Sequence, residues 1–126
     1  VLQASGRTLV ASPLFSSVAL AASGILLGGT EEQKSALLPR IASGDLLVSL
    51  ALEEGPHHNP TAVATTAVPQ QDGYVINGCK VHVIDGHVAD QFIVVARTGG
   101  EAGDERVLHP VRRIECFVDQ PFAQAP

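Results

Sequence analysis

The chain has no tryptophan, no methionine, one tyrosine and four phenylalanines among its 126 residues. Aromatic faces on which unpaired bases could stack are therefore scarce, which argues against a binder of single-stranded nucleic acid. Basic residues are also sparse: eight Lys and Arg against thirteen Asp and Glu, a net charge of −5. Only Arg112 and Arg113 stand side by side. Nothing here resembles a basic stripe for a phosphate backbone, and no nucleic-acid partner is expected. Cysteine is limited to Cys79 and Cys116, whose separation matches no zinc or redox spacing. Buried free thiols in a reducing, cytoplasmic setting are the plain reading; a disulfide between neighbouring strands is the alternative for an exported protein. The chain also lacks a GxSxG elbow, a P-loop and a dinucleotide fingerprint.

Charge is missing over one long stretch. Thr8 to Thr30, 23 residues, carries no charged side chain, which is long enough to cross a bilayer. Ser12, Pro13, Ser16, Ser17, Ser23, Gly24, Gly28 and Gly29 dilute its hydrophobicity, and no basic N-terminal segment precedes it as in a signal peptide. No membrane span is expected. The stretch reads as a helix buried on all sides in a soluble protein.

What is present suffices for a core: 45% of residues are hydrophobic, and 17% charged is too few for a disordered tail. Residues 1–46 read as helical, the end of a helical domain. Pro13 can open a helix after Ser12. Leu14, Phe15, Val18, Ala19, Ala22, Ile25 and Leu26 follow helical spacing, and Gly28-Gly29 ends the helix. Thr30-Glu31-Glu32-Gln33 is a capping box, with Leu37, Leu38 and Ile41 as the buried side of the helix it opens. Pro39 is expected to break or kink that helix.

Residues 47–126 read as a β domain. Strands are expected over Leu46–Leu52, Thr61–Val68, Tyr74–Ile76, Cys79–Ile84 and Asp90–Arg97, then at Val107-Leu108 and Ile114–Val118. Turn signals at Gln71-Asp72-Gly73, Asn77-Gly78 and Asp85-Gly86 separate several of them. The fold class is therefore α+β: two or three N-terminal helices followed by a small antiparallel β-barrel of six to seven strands.

Chemistry is thin on this reading. Glu53 and Glu54 are adjacent at a strand end and point to opposite faces, so they make a poor acid/base pair. A strand end beside a loop suits a ligand contact, and it equally suits two solvated carboxylates. His57, His58, His82 and His87 lack the spacing that gathers three metal ligands, so no metal is expected.

Taken in order, several segments resemble the acyl-CoA dehydrogenase family. Gly28-Gly29-Thr30-Glu31-Glu32-Gln33-Lys34 and Leu37-Leu38-Pro39-Arg40-Ile41-Ala42-Ser43-Gly44 resemble its G-(S/T)-E-E-Q-K and L-P-x-(L/I)-A-S-G pair. Leu50-Ala51-Leu52-Glu53-Glu54 stands at the place of A-(L/M)-T-E-P. Asp72 to Lys80 resembles D-G-Y-x-(L/I)-N-G-x-K, and Ala89 to Thr98 resembles A-D-x-x-(L/I)-V-V-A-R-T. The resemblance covers roughly residues 5–98.

The resemblance implies a flavoprotein oxidoreductase with FAD, an acyl-CoA substrate and a homo- or hetero-oligomer. In that family the middle barrel walls the flavin. The flavin contacts carried over are the backbones of Leu52 and Glu53 and the segment His82, Val83, Ile84; Asn59, at the family's serine position, is the substrate contact. The departures are specific. Glu53 replaces a threonine, and an ionised carboxylate there would disfavour flavin reduction. His82 replaces the aromatic that covers the flavin, and Ile84 replaces a hydroxyl residue and cannot hydrogen-bond through its side chain. Val83-Ile84-Asp85-Gly86-His87-Val88-Ala89-Asp90 matches a variant of this strand, V-x-D-G-x-x-A-D. The family's C-terminal helical domain, source of the catalytic base, is missing from this sequence. The chain thus reads as an inactive fragment of a flavin-dependent acyl-CoA dehydrogenase, with no catalytic residue of its own. Two alternatives stand beside this: a non-catalytic binding or assembly module derived from that family, and a stand-alone flavin-binding barrel.

Overall fold

A computed structural model describes residues 2–71 and 73–100. The expected strands at Val107-Leu108 and Ile114–Val118, together with Cys116, lie outside the described residues.

The helical part comes first. Helix α1 (Leu2–Thr8) ends at Leu9, whose φ of 50° is left-handed. A π-helix (Phe15–Ala22) then runs directly into α2 (Ser23–Gly28). Its entry is held by Ser12, whose Oγ accepts the Leu14 N–H at 3.3 Å. The buried residues of this rod are Ser16, Ser17, Ala21 and Ile25. Phe15, Val18 and Leu26 are exposed, and Leu27 is 90% exposed, which corrects the expectation of a helix buried on all sides with these side chains inward. The physical reason is the wider π turn, whose i→i+5 bonding changes which residues share a face. The inward side carries small residues, so backbones approach closely: Ser17 Oγ accepts the Val48 N–H of the first strand at 3.1 Å. Among the described residues, no helix is long and apolar enough to cross a membrane.

Helix α3 (Glu31–Ser43) forms as its capping box dictates. Thr30 Oγ1 accepts the Gln33 N–H at 3.2 Å, and Gln33 Oε1 accepts the Thr30 N–H at 2.9 Å. The helix continues through Pro39, contrary to the expected break. Pro39 removes one donor, but Leu37 and Ile41 are buried on either side of it and anchor both halves to the core. Gly44 then closes the helix in a left-handed conformation, φ 82°, where a side chain would be strained.

Four strands follow: β1 (Val48–Ala51), β2 (Thr66–Gln70), β3 (Gly73–Asn77) and β4 (Gln91–Val94). β2 and β3 form an antiparallel hairpin closing between Gln70 and Gly73. β1 and β4 pair in parallel, Val48 opposite Gln91 through Ala51 opposite Val94. Thr66 bridges Arg97 between the two sheets. The expected antiparallel barrel of six to seven strands is thus replaced, among the described residues, by two two-stranded sheets, one of them parallel. A parallel pair needs a long connection, and the stretch from Leu52 to Asp90 supplies it.

Two local expectations also change. Asn77-Gly78 is not a hairpin turn. Gly78 is needed for close packing instead, since a Cβ there would lie 2.3 Å from Thr65 Oγ1. Cys79–Ile84 is not a strand: His82 has a φ of 53° and Asp85 a φ of 55°, which breaks the alternation. Histidine and aspartate are among the residues that tolerate this region. Cys79 is a free thiol and exposed rather than buried.

One apolar cluster unites the two halves. Ala21, Ile25, Leu37 and Ile41 from the helices pack with Leu46, Val48 and Ile93.

Candidate functional site

Where β1 ends, the chain turns from apolar to charged, and the segment 79–85 lies against it. Val81 N–H donates to the Glu53 carbonyl at 2.8 Å. Ser49 Oγ donates to the Ile84 carbonyl. Asp85, at the far end of the segment, meets the buried Ser16 hydroxyl at 2.7 Å. These single bonds do the work that the expected strand pairing would have done.

The centre of the site is an ion pair. Lys80 Nζ lies 2.6 Å from Glu54 Oε1, with side chains only 8% and 13% exposed respectively. The ammonium also donates to the Leu52 carbonyl at 3.1 Å. Glu54 accepts two backbone N–H groups, Ala64 at 2.6 Å and Thr65 at 3.0 Å. Burial pushes the Glu54 carboxyl upward, but the bonds from Lys80, Thr65 and Ala64 outweigh it and hold the pKa at about 2. With every charge bonded, the pair ties the end of β1 to the start of β2 and to the segment after β3.

Glu53 faces a different set of partners, as adjacent strand-end residues should. Its Oε1 bonds His58 Nδ1, and its Oε2 accepts the Asn59 N–H at 3.3 Å. The His58 bond is the main cause that lowers its pKa; burial works against it, and the Asn59 N–H and the charges of His58 and His82 add to the lowering. Asn59 is itself organised. Its Oδ1 accepts from Thr61 Oγ1 at 3.0 Å and its carbonyl accepts the Ala62 N–H at 3.1 Å. A carboxylate clasp thereby folds the 55–60 loop back over the strand end.

The structure links Glu53 to Val81 and Ser49 to Ile84 through these bonds, and Leu52 to Lys80. His82 is exposed. Ile84 is 45% exposed, and Val83 sits in a turn, its carbonyl accepting the Gly86 N–H at 3.1 Å. Asn59 is exposed on the loop. No group of three or more His, Cys, Asp or Glu side chains could hold a metal among the described residues. Sequence reasoning overlooked Lys80, Ser49 and the Ser16–Asp85 contact. A lone lysine between Cys79 and Val81 was the available signal, since a charge beside apolar residues needs a partner.

Two of the side chains at positions that the family resemblance assigns to the flavin differ in chemistry from what that group would use. Ile84 offers hydrocarbon where a hydroxyl is wanted, and Glu53 adds negative charge where reduction would add more.

No family model matches the chain. Over 81 residues, 63% of its length, it is 41% identical to an acyl-CoA dehydrogenase of Bacillus subtilis (strain 168), and it spans 21% of that relative. Among solved structures, it aligns with the ChsE4–ChsE5 complex from Mycobacterium tuberculosis at a TM-score of 0.63 and 32% identity, covering 75% of this chain and 25% of that one. A glutaryl-CoA dehydrogenase from Mycobacterium smegmatis in complex with FADH2 aligns at a TM-score of 0.57 and 34% identity, covering 62% and 20%. The chain is thus homologous to acyl-CoA dehydrogenases over 63% of its length, and it spans about a fifth of the curated relative it matches.

Proposed function

We propose that this chain is the segment joining the helical part (1–46) to the middle β domain (47–126) of an acyl-CoA dehydrogenase-like protein. Its role there is to hold the strand end and the 55–60 loop against an acyl-CoA thioester, with Asn59 as the contact. The observation that carries this reading is the Lys80–Glu54 pair. It joins two separated segments of the resemblance, the one ending in Glu54 and the one ending in Lys80, into one buried unit. A cytoplasmic setting belongs to the same proposal and agrees with the free thiol of Cys79.

The chain by itself does not turn substrate over on this reading. Proton abstraction needs an available base within reach of the substrate. Glu54 is locked in the ion pair, and Glu53 is bonded to His58 and Asn59. The test is calorimetric titration of the natural protein with short, medium and long acyl-CoA thioesters, alongside a dye-reduction assay on this chain alone. Binding of a thioester, weakened by Asn59→Ala, without dye reduction by the isolated chain is expected. Absence of binding to every thioester would sink the reading.

A second reading, a non-catalytic assembly module, is favoured by the exposed Phe15, Val18, Leu26 and Leu27. Such side chains suit a homo- or hetero-oligomeric contact. Concentration-dependent sedimentation without thioester binding would favour it over the first.

A further inference from the structure

We propose that Glu53 is a positioning residue: its carboxylate latches the 55–60 loop to the exit of β1 and thereby sets Asn59 for the thioester. The proposal rests on the function argued above, which makes Asn59 the contact. It is carried by how this stretch is tethered. Pro56 to Pro60 are all exposed, so no buried apolar side chain anchors them. The two ends of the stretch are fixed by other means. Glu54, before it, is held by Lys80; Ala64 and Thr65, after it, donate their N–H groups to Glu54. Between these footings, among the described residues, the loop is tied back to the strand end through Glu53. Its Oε1 bonds His58 Nδ1, and its Oε2 accepts the Asn59 N–H at 3.3 Å. Thr61 Oγ1 and the Ala62 N–H also bond to Asn59. They shape the turn without tying it to the strand.

The two neighbouring carboxylates thus differ in kind. The Glu54 and Lys80 side chains are 13% and 8% exposed, whereas those of Glu53 and His58 are 20% and 73% exposed. A pair open to water adds little to folding, so the latch can open while the frame stays closed. The His58 bond, the Asn59 N–H and the charges of His58 and His82 favour the ionised, latching form of Glu53 over the opposing effect of burial. An unlatched loop holds Asn59 in place for only part of the time, and the apparent affinity for the thioester falls by that fraction.

The test reads the loop and the ligand separately in the natural protein. Hydrogen–deuterium exchange, measured by mass spectrometry on peptides covering Asn59, reports the loop. Calorimetric titration with butyryl-, octanoyl- and palmitoyl-CoA reports binding, and urea melts check that each variant is folded. Glu53→Ala and His58→Ala are expected to speed exchange at Asn59 and to weaken the thioester that wild type holds by about three- to tenfold. His58→Asn, which keeps a donor near the Nδ1 position, should recover most of that affinity. In an Asn59→Ala background the same two substitutions should change binding by less than about twofold, because no contact is left to position. Equal weakening in both backgrounds is the mark of a general structural role and overturns the proposal. So does a folded Glu53→Ala protein whose exchange at Asn59 matches wild type. If Glu53→Ala does not fold, His58→Ala, at an exposed position, is judged by the same criteria. The two readouts separate this claim from the proposed function. Faster exchange in the variants, with no thioester bound by wild type, removes the proposed function and leaves the latch standing. Thioester binding by wild type, with exchange and affinity unchanged in both variants, does the reverse.

Discussion

Replacing Lys80 by methionine removes the cation facing Glu54 and keeps most of the side-chain volume. With side chains 8% and 13% exposed, the partners sit in the regime where deleting one member of a pair costs about 3–5 kcal/mol. Glu54 keeps its two backbone donors, from Ala64 and Thr65, so part of its charge remains compensated. The Leu52 carbonyl also loses its Lys80 donor. The expected loss for Lys80→Met is therefore about 2–3 kcal/mol.

Acid titration gives an independent measure. The Glu54 carboxyl falls from an ordinary value of 4.5 to about 2 in the fold. At about 1.4 kcal/mol per tenfold this is at most about 3.5 kcal/mol, and solvent screening reduces the expected share to about 2. Because the folded pKa is the lower one, this stabilisation is complete above 4.5 and fades as pH falls from there towards 2. Urea unfolding of wild type, Lys80→Met, Glu54→Gln and the double variant, from neutral pH into acid, reads both effects. Glu54→Gln should show a flatter acid limb, and the double-mutant cycle should show coupling. A loss below about 0.5 kcal/mol for Lys80→Met, typical of an ordinary surface change, would refute the reasoning. So would a Glu54→Gln protein as acid-sensitive as wild type.

Two further substitutions probe the packing that builds the site. Gly78→Ala would place a Cβ 2.3 Å from Thr65 Oγ1 and 2.7 Å from Thr65 Cα, for an expected loss of about 1–3 kcal/mol in a urea melt; Thr65→Ala should rescue it only in part, because the contact with the Cα remains. Ser17→Ala leaves the buried Val48 N–H without its acceptor, and thermal unfolding should register about 1–3 kcal/mol.

Much of the helical half was legible because its signals are local. The capping box at Thr30 and Gln33 needs residues only three apart, and Gly44 needs only its own lack of a Cβ. Glu53 and Glu54 lie just past the end of β1, and the structure gives each its own partners. Their identities were not legible. Lys80 reaches Glu54 across 26 positions, and Ser16 reaches Asp85 across 69; periodicity carries no information over such distances.

By itself, the sequence determined where helix gives way to strand, how α3 begins and ends, and an order of motifs shared with acyl-CoA dehydrogenases. Each rests on short-range sterics, hydrogen bonding or a colinear string of residues. Tertiary structure alone decided that β1 pairs in parallel with β4, that Pro39 sits inside a continuous helix, that Ser16 and Ser17 face inward while Phe15 and Val18 face out, and that 79–85 is held by single bonds rather than a ladder. The reason is common to all four. Burial against a distant part of the chain is worth more than the local preference it overrides, as it is where Leu37 and Ile41 carry α3 past a residue that lacks its own donor.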